Sequence, residues 1–292
     1  MTVAALRPTI VRMPDCVADH VAAVAATALL AELETWPKPG LVSHVDSGSH
    51  TDMDAGTFRA SIAALTPFFG RLTLAGAAGS GMDGLRAIGL EAEREMLQET
   101  GGANTHRGAI FGLGLLCAAA GISWSRSAQT QPLWGPHILG AMVRRQWGAA
   151  ILSGPIPLHS HGTNALRRFG AGGARAETAA GFPNALGIGL PALRLGRTLA
   201  HGDSEAARVQ SFFALLASME DTNLLHRGGA AGLQFAQQHA VGFLRRGGVR
   251  QKQWRARAAA VHRAFIARRL SPGGCADLLA ITLFMDALDT HS

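Results

Sequence analysis

From residue 17 to residue 289 the apolar residues recur three and four positions apart, and no segment sustains a two-residue alternation. A strand buries every second side chain and a helix buries one stripe, so this spacing commits the chain to helices. Val17, Val21, Val24 and Ala28 open one stripe, which Pro37-Lys38-Pro39-Gly40 ends. Asp54 stands where it caps the next helix, with a stripe through Phe58, Ile62, Leu65 and Phe69. A third helix over 84–100 closes on Gly101-Gly102. The pattern predicts further helices over 106–120, 136–152, 164–180, 185–200, 204–219, 229–243, 251–270 and 274–289. Asp203 and Glu205 favour the start of the one at 204. Alanine and leucine dominate, and runs of Val, Ile and Thr are few. The expected fold is all-α: a single globular domain over 1–292, about ten or more helices joined by polar active-site loops, with 1–14 as a loose N-terminus.

With 48% apolar and 16% charged residues the chain is no disordered polymer. Its net charge of +7 points to an anionic partner. The arginines are spread out and no aromatic-interleaved basic tract occurs, so a phosphate-rich small molecule is expected rather than nucleic acid. The densest cluster, Arg245 to Arg269, reads as the solvated face of one helix. Cys16, Cys117 and Cys275 are odd in number and contain no CxxC pair, which fits reduced thiols rather than disulfides or a zinc finger. The N-terminus lacks a signal core, and the apolar run from Gly108 to Ser123 falls short of a membrane span. A soluble cytoplasmic protein is expected, with no membrane contact.

Charge is sparse except in a few loops. His44, Asp46, His50, Asp52 and Asp54 crowd one loop, which reads either as magnesium and proton-transfer chemistry or as a solvated loop with a helix cap. Gly101 to Gly108 (GGANTHRG) leads into an apolar helix. The glycines, the helix N-terminus and Arg107 suit phosphate, whereas a plain helix–helix turn explains Gly102 and Asn104 but not the His106-Arg107 pair. That pair returns as His226-Arg227 in DTNLLHRGG, an echo of NTHRG that reads as either duplication or convergence. His159 to Asn164 with Arg167-Arg168 reads equally as a third polar rim or a capped loop. Glu93 and Glu177 lie within helices, where lone glutamates are usually solvated. Ser271 to Asp277 reads as a Gly-rich turn with helix-start signals, and Cys275, without a nearby His, is not expected to be a nucleophile.

Five segments in order, PKPGLVSHVDSGSHTDMD, GGANTHRGAIFGLG, ARAETAAGFP, DTNLLHRGG and SPGGCADLLA, resemble the triphosphoribosyl-dephospho-coenzyme A synthase family from about Trp36 to Leu279. SHVDSGSHTDMD is closer to the branch serving malonate decarboxylase than to that serving citrate lyase. The resemblance implies an all-helical pentosyltransferase. It joins the triphosphoribosyl group of ATP to the 2'-hydroxyl of 3'-dephospho-coenzyme A, releasing adenine, and a partner phosphoribosyl-dephospho-coenzyme A transferase then loads an acyl-carrier subunit. The family's product is α-linked and ATP is β-linked, so inversion by a single displacement is implied, without a covalent enzyme intermediate.

By motif the resemblance also assigns residues. Asp52, Glu93, Glu177 and Asp221 are expected to bind Mg2+ and flank the anomeric carbon, where carboxylates stabilise oxocarbenium character. His106 or His226 is expected to act as acid or base. Arg107 and Arg227 are expected to hold phosphates, with His50, Asn104, Thr105, Gly108, Asn223 and Gly228 completing the nucleotide site. Two other readings compete. One is a helical magnesium-dependent N-glycosyl hydrolase acting on a nucleotide or ADP-ribosyl group, with water as acceptor. The other is a nucleotide-sensing scaffold that binds ATP without releasing adenine.

Overall fold

The computed structural model describes residues 13–127, 132–155 and 171–290. These contain eleven α-helices and no strand, as the three-to-four spacing predicts. They are α1 (Asp15–Leu33), α2 (Ala55–Ala77), α3 (Met82–Glu99), α4 (Arg107–Arg126), α5 (Pro136–Ser153) and α6 (Gly173–Ala179). A π-helical turn, Ala185–Gly189, runs into α7 (Leu190–Leu199), followed by α8 (Ser204–Ser218) and α9 (Thr222–Arg245). A 3-10 turn, Gly248–Arg250, precedes α10 (Trp254–Ala267), and α11 (Gly273–Thr290) ends the described chain.

α4 is the axis of the molecule. Its buried positions, among them Ile110, Leu113, Leu116, Cys117, Ala119 and Ala120, fall on every face, as in a helix enclosed by protein. Its glycines let the neighbour in. A Cβ on Gly121 would fall 2.0 Å from the Thr73 carbonyl oxygen, and one on Gly76 of α2 would fall 2.0 Å from that of Ala118. The two helices therefore run backbone against backbone. Leu29 of α1, Phe69 of α2, Met96 of α3, Leu139 of α5, Phe212 of α8, Phe265 of α10 and Phe284 of α11 join the same continuous core. Each such side chain contributes about 1.5–3 kcal/mol on leaving water.

α4 at 20 residues and α1 at 19 are long and apolar enough to cross a membrane by composition alone. The run from Gly108 is thus longer than its sequence suggested. Its burial inside the helical core accounts for that apolarity.

Caps set the ends as predicted at two places. Asp54 and Thr57 form a capping box on α2, and Asp203 accepts the Ala206 N–H on α8. The predicted start at 229 is corrected to Thr222, because Asp221 caps the helix seven residues before Gly228-Gly229. Those glycines kink the helix rather than start it: Gly229 has φ 59° and ψ −161°. Of the predicted 164–180 helix, the described part is Gly173–Ala179.

Candidate active site at converging helix starts

Four helix starts meet on one side of α4. Asp221, the N-cap of α9, accepts the Asn223 and Leu224 N–H groups on Oδ1 (2.8 and 3.0 Å) and the Cys275 N–H of α11 on Oδ2 (2.9 Å). A Cβ on Gly273 would fall 2.8 Å from Asn223 Nδ2, and one on Gly274 would fall 3.0 Å from Asp221 Oδ2. Only glycine lets α11 begin so close to α9. A Cβ on Gly108 of α4 would fall 2.0 Å from Asp277 Oδ2 of α11. At α6, a Cβ on Gly173 would fall 3.0 Å from Thr222 Cγ2. Helix starts carry N–H groups and the positive end of the macrodipole, and here the Asp221 carboxylate takes N–H groups from two of them.

The segment Thr35 to Asp54 packs over this junction, anchored from α10 and from the turn before α11. His262 is buried. Its Nε2 lies 3.0 Å from Asp46 Oδ1 and its Nδ1 lies 2.7 Å from the Lys38 carbonyl oxygen. Ser49 Oγ donates to the Leu270 carbonyl at 2.7 Å. His50 Nε2 lies 2.8 Å from Ser271 Oγ, while Arg227 Nη2 lies 3.5 Å from His50 Nδ1 and its Nη1 donates to the Arg269 carbonyl at 3.3 Å. The predicted pair His50 and Arg227 therefore meet across 177 residues of sequence. Burial first, and then the Arg227 charge, push the His50 imidazole down, against the opposing charge of Asp52.

The four carboxylates expected to share magnesium do not form one ligand set. Among the described residues no three His, Cys, Asp or Glu side chains stand where they could hold a metal ion. Three of the four are already engaged, and the fourth stands apart. Asp221 spends both oxygens on three backbone N–H groups. Glu177, at the end of α6, accepts the Asn184 N–H at 2.8 Å, the Asn184 side-chain amide at 2.7 Å and the Ala185 N–H at 3.3 Å, so it caps the π-helical turn. Glu93 of α3 is ion-paired with Arg107. Asp52 is largely exposed, 3.5 Å from His50 Nδ1. This donor set does not fit a resident magnesium ion. Burial pushes both Asp221 and Glu177 up, and their N–H partners oppose it.

His106 is the buried N-cap residue of α4. Thr105 donates its hydroxyl to Ser61 Oγ at 2.8 Å, and Ser61 Oγ lies 2.7 Å from His106 Nδ1. Ser61 Oγ thus links the Thr105 hydroxyl to the His106 ring. Nε2 is buried without a partner, as is Trp36 Nε1 at the head of the covering segment. Burial, and then the Lys38 charge, push the His106 imidazole down to about 3. The ring is therefore neutral at ordinary pH. His226 lies exposed on α9.

Asn104 Oδ1 accepts the Arg107 N–H at 3.2 Å, which makes it a cap for α4. Gly108 makes room for Asp277, and Gly228 for Leu270, whose Cδ2 would lie 2.7 Å from its Cβ. The NTHRG echo is not structural: His106-Arg107 begins α4, whereas His226-Arg227 lies inside α9. The rim from His159 to Asn164 with Arg167 and Arg168 lies outside the described residues.

Sequence reasoning missed three groups here. Lys38, wholly buried, is ion-paired with Glu32 of α1. Burial pushes Lys38 down and Glu32 up, each held against that by the other's charge. Asp277, on the second turn of α11, has its carboxyl pushed well up by burial, then by the Glu32 and Asp221 charges, with the Ala109 N–H opposing. The signal for Lys38 was its place between two prolines, and that for Asp277 its place behind Gly273-Gly274. His262 carried no local signal.

The family model described as ATP:dephospho-CoA triphosphoribosyl transferase matches residues 18–292. A protein of Acinetobacter calcoaceticus is 38% identical over 90% of this chain and 88% of its own. One of Stutzerimonas stutzeri (strain A1501) is 38% identical over 96% and 95%, and one of Pseudomonas putida 39% identical over 92% and 94%. All three bear the name probable 2-(5''-triphosphoribosyl)-3'-dephosphocoenzyme-A synthase. No solved structure matches the chain. The matched span runs from within α1 through α11 and takes in every helix start at the junction, and on it this chain belongs to the ATP:dephospho-CoA triphosphoribosyl transferase family.

Proposed function

We infer that this protein transfers the triphosphoribosyl group of ATP to the 2'-hydroxyl of 3'-dephospho-coenzyme A, with release of adenine. The observation that carries the reading is the family match over residues 18–292, which spans the whole junction. The net charge of +7 supports it physically, because a triphosphate is a polyanion.

In this reading Arg107 and Arg227 supply paired donors to the triphosphate oxygens. Magnesium enters with ATP, held by the phosphates and water as part of the substrate. Displacement at the anomeric carbon breaks the bond to adenine, forms the bond to the acceptor oxygen and inverts the centre. The likeness of the SHVDSGSHTDMD loop to the malonate decarboxylase branch supports a product destined for that system, where a phosphoribosyl-dephospho-coenzyme A transferase would pass it to an acyl-carrier subunit. The setting is the cytoplasm.

The test is chromatography of protein incubated with ATP and magnesium, with and without dephospho-coenzyme A. Adenine formed only with acceptor, beside a heavier coenzyme product, is expected. Adenine without acceptor would indicate a hydrolase, and ATP binding without adenine a sensor.

A further inference from the structure

On the transferase reading above, in which Arg227 grips the triphosphate, we propose that His262 is a positioning residue for the ATP site. Through Asp46 it fixes the loop that sets His50 against Arg227, while touching neither substrate itself.

His262 stands on α10, 2% exposed, and spends both ring nitrogens on the covering segment. Its Nε2 lies 3.0 and 3.1 Å from the two carboxylate oxygens of Asp46. Its Nδ1 lies 2.7 Å from the Lys38 carbonyl oxygen and 3.2 Å from the Gly40 backbone nitrogen. One ring therefore ties residues 38, 40 and 46 to a helix of the core. Asp46 comes to it from outside, with 39% of its side chain exposed. A histidine that merely filled the core would not need a surface carboxylate.

From Asp46 the constraint passes along the turn to His50. Asp46 Oδ1 also accepts the Gly48 N–H at 2.9 Å, and its carbonyl accepts the Ser43 N–H at 2.9 Å. The Ser49 N–H donates to the Gly40 carbonyl at 3.0 Å, and the His50 N–H to that of Ser47 at 3.1 Å. The turn is tight: Gly48 has φ 56°, and a Cβ on it would fall 2.5 Å from the Leu41 carbonyl oxygen. So placed, His50 puts Nε2 2.8 Å from Ser271 Oγ and Nδ1 3.5 Å from Arg227 Nη2. The Arg269 carbonyl, 3.3 Å from Nη1, gives the guanidinium its second support. A long flexible cation gives up side-chain freedom when it grips a ligand, and one held in place beforehand gives up less. His262 thereby acts on ATP affinity and not on the step that breaks the bond to adenine.

The experiment cuts the tie at its exposed end with Asp46→Ala, alone and combined with Arg227→Ala. Binding of magnesium-ATP is read by calorimetry, and turnover by adenine release with dephospho-coenzyme A. Asp46→Ala is expected to raise Kd and KM for ATP about tenfold, with kcat and the acceptor KM within about threefold of wild type. In the Arg227→Ala background the same change is expected to shift ATP affinity by less than about twofold, because the group it positions is gone. Asp46→Asn keeps an oxygen for His262 and the Gly48 N–H, and is expected to restore most of the loss. Unchanged ATP affinity in Asp46→Ala, or in a folded His262→Phe protein, would overturn the proposal. So would losses that add in the double variant, which would mark His262 and Asp46 as a general support of the fold. If wild type binds ATP and yields no adenine, the transferase reading falls, while the binding cycle still decides whether His262 positions Arg227.

Discussion

Asp221 receives three backbone N–H groups from two helices while fully buried, so its carboxylate is a structural hub. Asp221→Asn turns an amide donor toward one of those N–H groups. It is expected to destabilise the fold by about 2–4 kcal/mol, read from denaturant unfolding. A stable Asp221→Asn protein without activity would instead put the carboxylate in the chemistry. His106 makes a pH prediction. Its folded pKa of about 3 lies below the ordinary 6.5, so as pH falls through 6.5 the unfolded chain takes a proton that the folded chain refuses. The stability this group contributes is intact above that value and is lost on the way down to the folded pKa, at about 1.4 kcal/mol per unit. Unfolding free energy should therefore fall more steeply with acid in wild type than in His106→Gln. Parallel curves would assign the slope to other groups.

At the scale of elements, the α2–α4 contact depends on two glycines that meet backbone oxygens. Gly76→Ala and Gly121→Ala each place a methyl 2.0 Å from a carbonyl that cannot move without its helix. Each is expected to cost about 3 kcal/mol or more, seen as a lowered melting temperature. Gly89→Ala is the control, in mid-helix with nothing within 4 Å of the new carbon. It is expected to stabilise by about 0.4–1 kcal/mol. The same reasoning explains α9, where Asp221 starts the helix and Gly229, at positive φ, bends it without ending it.

For the whole molecule, the buried Lys38–Glu32 pair ties the covering segment to α1. Lys38→Met leaves a buried carboxylate alone and is expected to cost about 3–5 kcal/mol, most of it recovered in Lys38→Met/Glu32→Leu. A double-mutant cycle on unfolding measures this, and additive losses would refute the coupling. The net charge of +7 attracts polyanions over a distance. KM for ATP is expected to rise with ionic strength, since salt screens charges beyond about 10 Å. A KM indifferent to salt would confine recognition to short-range contacts.

What the sequence determined by itself was the part of the structure that local physics decides. Helix spacing, the caps at Asp54 and Asp203 and the glycine stop at Gly101-Gly102 act within one or two turns, so they were legible, as was the order of motifs that marks the family. The loops that meet were legible as polar segments too, and His50 and Arg227 do meet. The tertiary structure alone decided what each charged group does there. Asp221 reaches Cys275 across 54 residues, and His262 reaches Asp46 across 216. Such partners decide whether a carboxylate is a cap or half of an ion pair. A sequence displays residue types and short spacings, whereas a carboxyl's protonation depends on burial and on charges brought near by folding. For that reason Glu177 and Asp221 read as metal ligands and fold as caps, while Asp277 read as part of a turn and stands at the meeting of three helices.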